Sequence, residues 1–447
     1  MSRVIVRTLV IAAALAYVLS IQWSYSAIIA PAFSYNGSVY RPAGDGSLVF
    51  AFAVSILPAI WLPIKVSRPS QVTLWVLFIL GYVPSILIPY FVLGTGFQGV
   101  LPLTLAIVGS FSLLSIMVWI RSGVTYSPAI TMATYENLIL GLAILLGGYT
   151  ILAFGINLNL PALANVYDVR STFDQAVINT NVPFAAYALD WSMYVVNPLL
   201  MLVGLRSNRL GIFATGLAIE LLVYGTTGYK SALLSVLLLA PLLVLLTRRL
   251  RPVFGASLVT GSVIMVLGSA LWDQANDTIL ATSLFVRRLI SVPGQLMADY
   301  FDFFSQHRTY GLSASFLAFL GPAPYDLAPP YLIGAVYFKA PAEDANANIW
   351  ADAFANFGFA GIFAFTIILG LVLIVLDSAG SGRDLRITGA MGGLMAIALS
   401  NSALQTTIVT HGLGLAIVLI FLMPRDPDPA PVQDVSWPNA VISDDSS

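Results

Sequence analysis

The residues able to carry chemistry lie in two polar segments, about 155–183 and 272–350, and in one Gly/Thr turn at 225–230. They comprise cations, carboxylates, amides and one histidine: Arg170, Lys230, Arg287, Arg288, His307, Arg308, Asp344, Asn346, Asn348 and Asp352. Guanidinium and ammonium groups bind phosphate oxygens, and a histidine or a carboxylate can accept a proton. Long loops in compact proteins are functional or disordered. The apolar and aromatic spacing of the longer segment argues against disorder, so we expect it to form the working surface.

Composition restricts the kind of protein that positions these residues. Hydrophobic residues make up 58% of the 447 residues and charged residues 9%, whereas soluble domains carry about 25% charged residues. This balance is typical of a polytopic membrane protein. The chain has no cysteine and two histidines, which excludes a disulfide framework, a thiolate nucleophile and a His-rich metal site. A net charge of −1 gives no indication of nucleic-acid binding.

The apolar stretches predict an all-α protein with about 12 transmembrane helices. Their approximate bounds are 4–30, 47–64, 72–93, 100–120, 135–154, 184–205, 210–224, 231–246, 253–271, 357–376, 387–399 and 406–423. We interpret the first as a retained anchor and not as a cleaved signal peptide, because its apolar run is long for a signal sequence. Residues 1–424 then form one transmembrane domain, and the Pro/Asp/Ser-rich tail 425–447 is expected to be disordered.

The distribution of positive charge predicts the orientation of these spans. With the N-terminus in the cytoplasm, thirteen Lys and Arg residues lie on the cytoplasmic side and seven on the other. The thirteen are Arg3, Arg7, Lys65, Arg68, Arg121, Arg206, Arg209, Arg248, Arg249, Arg251, Arg383, Arg386 and Arg425. Both termini are therefore expected to be cytoplasmic, and both polar segments are expected to face the periplasm or the cell exterior.

The outward cations form the most informative set. Lys230 follows a Gly/Thr turn at the start of a span, where free backbone N–H groups and the helix dipole favour an anion. Arg287 and Arg288 lie on an amphipathic segment, 284–304, with helical spacing of its apolar residues. Such cations near a membrane surface suit a lipid-linked diphosphate. Alternatives stay open: these cations are also compatible with contacts to lipid headgroups or nearby carboxylates, His307 is compatible with an ordinary surface histidine, and the aromatics at 300–304 fit an interfacial belt.

Several motifs together resemble those of Wzy-type oligosaccharide repeat-unit polymerases, which are related to the O-antigen ligases. They are Val166-Tyr-Asp-Val-Arg170, Gly228-Tyr-Lys-Ser-Ala-Leu-Leu234, the Arg287-Arg288 pair before Tyr300-Phe-Asp-Phe-Phe304, and Ala345-Asn-Ala-Asn-Ile-Trp-Ala-Asp352 before Phe357-Gly-Phe-Ala-Gly361. The resemblance implies a GT-C-like fold with a large, partly helical periplasmic loop between helices 9 and 10. It also implies a bacterial inner-membrane location, and transfer of a glycan from an undecaprenyl diphosphate carrier to another lipid-linked repeat unit. No cofactor or metal is implied; the implied partners are membrane lipids, a flippase and a chain-length regulator.

This chemistry assigns a role to each candidate. Arg170, Lys230, Arg287 and Arg288 would stabilise the leaving diphosphate. His307, Asp344 and Asp352 are rival bases for the acceptor hydroxyl, and Arg308, Asn346 and Asn348 would bind sugar hydroxyls.

Two other functions remain open. One is a lipid-linked oligosaccharide flippase or transporter, although the sequence has few ionisable residues within spans. The other is a glycosyltransferase that uses a polyprenyl-monophosphate sugar. Enzymes of that class often carry an acidic pair in the first outward loop, and residues 33–46 offer only Asp45.

Overall fold

A computed structural model describes residues 2–120, 128, 130–156, 173, 184–315 and 317–426. Arg170, Arg121 and the tail from 427 onward lie outside these residues. Within them the chain is helical and contains no β-strand. In chain order the main helices are α1 Arg3–Ala32, α2 Asp45–Ile60, α3 Pro69–Val92, α4 Gly96–Trp119, α5 Met132–Phe154, α6 Ala185–Arg206, α7 Leu210–Thr227, α8 Lys230–Leu245, α9 Arg251–Ala275, α10 Thr282–Ser291, α11 Val292–Gln306, α12 Pro329–Tyr337, α13 Ile349–Gly380, α14 Leu385–Leu399 and α15 Leu404–Leu422.

Nine helices of the described chain are long and apolar enough to cross a membrane. Three shorter apolar helices, α2, α8 and α14, accompany them. Each apolar stretch predicted from the sequence coincides with one of these twelve helices. The prediction of an all-helical, multi-pass membrane protein is therefore confirmed.

The arginine-rich turns meet at one end of the bundle, which we call the arginine end. Arg7 Nη1 donates to the carbonyls of Ala59 and Leu62. Arg251 pairs with Asp384 at 3.6 Å. Further pairs there are Arg68–Asp377, Arg209–Glu136, Arg386–Asp384 and Arg206–Asp426. The arginine-rich turns, which the predicted topology places on one side of the membrane, therefore lie together at one end of the bundle.

The opposite end, which we call the cavity end, is organised by a sharp reversal within α13. Phe357 and Gly358 have non-helical backbone angles, and Gly358 has φ +60°. Trp350 Nε1 donates to Thr366 Oγ1 at 3.1 Å although the two are 16 residues apart. A straight helix would separate them by about 24 Å. The segment Ile349–Asn356 is therefore a short arm that folds back against the long arm ending at Gly380.

Gly361 permits the close approach of the two arms. A Cβ at this position would lie 2.1 Å from the carbonyl oxygen of Ala353. The tip of the short arm is capped by the loop before α12, because Tyr310 and Gly311 donate their N–H groups to the carbonyls of Ala355 and Asn356. The short arm is thus held on both sides and enters the bundle from the cavity end.

Helices α10 and α11 follow one another without a break at the cavity end. The helical segment predicted at 284–304 is therefore confirmed. Helix α11 packs closely on α3, since a Cβ on Gly294 would lie 2.5 Å from a side-chain atom of Ile88. Four aromatic residues of α11, Tyr300, Phe301, Phe303 and Phe304, are all buried. Their interpretation as an interfacial belt was wrong, because they pack inside the protein against the short arm of α13 and the loop that follows α11.

Candidate functional site

A cavity of about 480 Å³ opens at the cavity end. Its wall is assembled from α6, α11, the start of α12, the short arm of α13, the first turns of α15, and the loops that precede α12 and α13. The lining residues are Tyr187, Tyr300, Ala314, Ser315, Ala328, Pro329, Pro330, Tyr331, Asp344, Asn346, Ala347, Asp352, Asn356, Ala403, Gln405, Thr406, Val409 and Thr410. The volume lies in the range of about 300–1,000 Å³ that is usual for small-molecule pockets.

Asp352 is the most unusual side chain in this wall. It lies on the short arm, five residues before the reversal, which places it about 8 Å below the tip of the arm. The residue is only 9% exposed; its Oδ2 lacks a well-formed hydrogen bond among the described residues, and the Gln405 side chain lies within hydrogen-bonding range of the carboxyl. Oδ1 accepts from Asn356 Nδ2 at 3.3 Å. A buried carboxylate oxygen without a donor is costly, so a ligand hydroxyl entering the cavity would relieve this cost.

Gln405 lies beside Asp352 on the opposite wall. Its Oε1 is likewise buried and without a partner among the residues described. The amide offers two donors and one acceptor. Gln405 was not among the residues singled out from the sequence. The signal that could have found it is the polar interruption at 400–405 between two short apolar stretches.

Tyr300 lies within electrostatic range of the two predicted carboxylates, Asp344 and Asp352. Its hydroxyl donates to the carbonyl of Ala345 at 3.1 Å. Burial, followed by the negative charges of Asp352 and Asp344, raises the pKa of Tyr300 well above its ordinary value. The phenol therefore stays neutral and both carboxylates lie close to it. Asn346 Nδ2 in turn donates to Asp344 Oδ2 at 2.6 Å.

Asn348 lies next to this wall but does not line the cavity. Its Oδ1 accepts from the backbone N–H groups of Trp350 and Ala351, and so caps the short arm. Its Nδ2 donates to Ser85 Oγ at 3.0 Å. Each side-chain polar atom of Asn348 thus already serves to hold the short arm in place.

His307 and Arg308 also lie outside the cavity wall. His307 follows the last residue of α11, where its Nδ1 lies 2.8 Å from the carbonyl oxygen of Phe303 and its ring stacks on that of Phe303 at 4.1 Å. Both His307 and Arg308 are exposed. The structure therefore brings Asp344, Asn346 and Asp352 together and places the two basic residues apart from them.

Of the four predicted diphosphate-binding cations, Arg170 lies outside the described residues and the other three lie on α8 and α10. The Cζ of Arg287 lies 4.4 Å from the ring centroid of Phe33, and its buried Nε lacks a partner among the described residues. Arg288 is exposed and lies within electrostatic range of Tyr194. Lys230 begins α8 after Gly228, which has φ +68°. Its neighbour Ser231 contacts Met193, one residue from Tyr194.

A histidine–carboxylate pair joins α6 to α15 beside the cavity wall. His411 Nδ1 lies 2.8 Å from Asp190 Oδ2, and the rings of His411 and Tyr194 are 4.8 Å apart. Trp191 Nε1 donates to the carbonyl of Val409, a residue of the wall, at 3.0 Å. Helix α6 is thereby fastened to α15 at the cavity end. Asp190 was not identified from the sequence as a partner of His411.

Within the described ranges, no group of three or more His, Asp or Glu residues is placed to hold a metal ion. No family model, curated protein or solved structure matches this chain. A functional assignment therefore depends on the geometry of the cavity and on the charges around it.

Proposed function

We propose that this protein polymerises oligosaccharide repeat units, by glycosyl transfer from a polyprenyl-diphosphate-linked donor to a sugar hydroxyl, at the outer face of a bacterial inner membrane. Asp352 is the observation that carries the proposal. It combines burial, an oxygen without a well-formed hydrogen bond among the described residues, and a place beside Gln405 in the wall of a cavity of small-molecule size. A buried, unsatisfied carboxylate in a cleft is a strong candidate for acid–base chemistry.

In the proposed reaction Asp352 receives the acceptor hydroxyl at Oδ2. As the bond from the anomeric carbon to the diphosphate oxygen breaks, the acceptor oxygen bonds to that carbon and its proton passes to Asp352. The leaving lipid diphosphate keeps the bonding electrons and carries increased negative charge. Asn346 and Gln405 supply amide groups to neighbouring sugar hydroxyls.

Two cations near α6 support this assignment. Arg288 and Lys230 lie beside α6, whose Tyr187 contributes to the wall. Within the described part of the chain, Nε of Arg287 has no partner, and a phosphate oxygen would satisfy it. Preorganised cations of this kind stabilise charge that develops on a leaving group. Of the three rival bases, His307 is the one that the cavity geometry does not favour.

The test is Asp352→Asn in a strain that lacks the chromosomal copy. This exchange keeps the size of the side chain and removes its capacity to accept a proton. We expect the surface glycan to run as a single repeat unit without a ladder, while the amount of protein in the membrane is unchanged. Asp326→Asn is the matched control, because Asp326 is exposed in the same segment and does not line the cavity.

A full polymer ladder from Asp352→Asn at normal protein level would refute the role of this carboxylate. Loss of the ladder in both Asp352→Asn and Asp326→Asn would also contradict the proposal, since it would show no special requirement for the cavity residue.

A second function, transport of a lipid-linked oligosaccharide, has one observation in its favour. Glu220 is buried within α7 and accepts hydrogen bonds from Asn197 and Ser235 of two other helices. Ionisable groups inside a membrane domain often mark a transport route. A flippase would leave repeat units trapped on the cytoplasmic side of the deletion strain, whereas loss of a polymerase would leave single units at the outer face.

A further inference from the structure

Asn356 lies at the tip of the short arm of α13 and connects the carboxyl of Asp352 to the loop that follows α11. Its Nδ2 donates to the backbone carbonyl of Asp352 at 2.9 Å and to Oδ1 of Asp352 at 3.3 Å. Its Oδ1 accepts the backbone N–H of Leu312 at 2.9 Å. The side chain is buried. One amide therefore joins the carboxyl to the backbone at residue 312.

These partners fix the direction in which the amide of Asn356 faces. The backbone N–H of Leu312 can only donate, so it must meet the amide oxygen. The backbone carbonyl of Asp352 and an ionised carboxylate can only accept, so they must meet the amide nitrogen. An aspartate at position 356 would keep the first bond, but it would place an oxygen against the oxygens of Asp352. The position therefore requires an amide and not a carboxylate of the same shape.

The backbone of Leu312 is held in an unfavourable conformation at this contact. Its φ of +69° lies in the left-handed region, which residues with a bulky side chain rarely adopt. Such angles persist only where surrounding contacts impose them, and they cluster at functional sites. Here Tyr310 and Gly311 donate their N–H groups to the carbonyls of Ala355 and Asn356. The strained residue is thus the one whose N–H reaches the amide beside Asp352.

The same loop contributes to the cavity wall. Ala314 and Ser315, which follow Leu312 closely in the chain, both line the cavity, and so does Asn356. We infer that Asn356 is a positioning residue, which fixes the direction of the Asp352 carboxyl relative to the loop side of the cavity. The inference rests on the proposed function in taking Asp352 as the base. Proton transfer requires the carboxyl to be aimed at the acceptor hydroxyl.

The test compares Asn356→Asp with a swap that combines Asp352→Asn and Asn356→Asp. The single variant sets two carboxyl groups against each other, so the thermal midpoint in detergent should fall. In the swap, the new amide at position 352 can donate to the new carboxylate at position 356, so the midpoint should rise again. The swap also keeps the test valid if the single variant does not fold.

Two further measurements report on the carboxyl itself, at a temperature where the single variant is folded. The polymer ladder of Asn356→Asp should fall about tenfold or more, since small misplacements of a reacting group are costly. Asp352 should react severalfold faster with a carbodiimide, located by mass spectrometry of peptides, because a neighbouring carboxyl favours its protonated form. A purely structural role would leave this labelling unchanged in the folded protein.

Asn401→Asp is the matched control. Asn401 Nδ2 donates to the carbonyl of Ile397, four residues earlier, at 3.1 Å, and Asn401 does not line the cavity. The ladder and the labelling of Asp352 should both stay at wild-type levels in this variant.

Wild-type ladder and labelling in Asn356→Asp would overturn the inference, and so would equal changes in Asn401→Asp. A swap no more stable than the single variant would overturn it as well. These failures are separable from failure of the proposed function. A full ladder in Asp352→Asn would remove the proposed base, whereas the labelling and the swap would still report how Asn356 holds the carboxyl.

Discussion

The close packing of the short and long arms of α13 predicts that a single methyl group added at Gly361 will strongly lower stability and activity. A Cβ there would lie 2.1 Å from the carbonyl oxygen of Ala353 and 3.0 Å from Cβ of Phe357. Carbon–oxygen contacts need about 3.3 Å, so Gly361→Ala must push the two arms apart by about 1.2 Å. Overpacking of this kind costs about 1–3 kcal/mol. The backbone oxygen cannot rotate away as a flexible side chain would.

The same displacement should impair function beyond its effect on stability. Asp352 lies on the arm that would move, and a misplacement of about 1 Å can cost on the order of a hundredfold in rate. We therefore expect Gly361→Ala to lower the thermal midpoint of the protein in detergent. This midpoint is measured by fluorescence-detected size exclusion after heating. The polymer ladder should be nearly lost even at a temperature where the variant stays folded.

Gly141→Ala is the matched control. Gly141 lies on an exposed face of α5, and a Cβ there would meet nothing within 4 Å. Alanine is favoured over glycine in a helix by about 1 kcal/mol, so this variant should be as stable as the wild type or more so. A Gly361→Ala protein with the wild-type thermal midpoint and a full polymer ladder would refute the close packing of the two arms of α13.

Three further predictions concern groups around the site. Burial, followed by the charge of Asp302, raises the pKa of Asp299 well above its ordinary value, so its contribution to stability is greatest below the unfolded-state pKa of about 4 and declines as pH rises. Asp299→Asn should therefore raise the thermal midpoint at pH 8 and reduce its dependence on pH; a lower midpoint at pH 8 would contradict this. Asn348→Ala should cost about 0.5–2 kcal/mol through loss of the helix cap, visible as a lower midpoint, whereas weaker sugar binding at an unchanged midpoint would indicate a direct role. Asp190→Asn, His411→Gln and their combination should give non-additive changes in midpoint, with a coupling of about 0.5–3 kcal/mol; strictly additive losses would show that the pair does not fasten α6 to α15.

Composition and hydropathy along the chain were enough to predict the class of protein. The twelve predicted apolar stretches coincide with nine long and three shorter apolar helices of the described chain. Membrane helices satisfy their own backbone hydrogen bonds within one continuous segment. Local sequence therefore determines where they lie, without knowledge of their neighbours. The grouping of arginine-rich turns at one end followed from the same local information.

Part of the candidate site was also predictable from the sequence. Asp344, Asn346 and Asp352 lie within nine residues of one another. The short arm of α13 and the loop that precedes it bring all three to the cavity. Gln405 could not be assigned to this site from sequence, since more than fifty residues separate it from Asp352. Its place depends on how α15 packs against α6 and α13. The amphipathic helix at 284–304 was predicted, but the burial of its aromatic face was not.

Local pattern thus determined which segments are apolar, which turns carry charge and which residue types are available for chemistry. Tertiary packing alone decided that α13 reverses at Gly358, that Asn348 serves as a cap, and that the carboxyl of Asp352 is buried beside Gln405 in the cavity wall. The reason is physical: hydropathy and helix signals act over a few turns. The environment of a side chain, by contrast, is the sum of contacts from segments far apart in the chain.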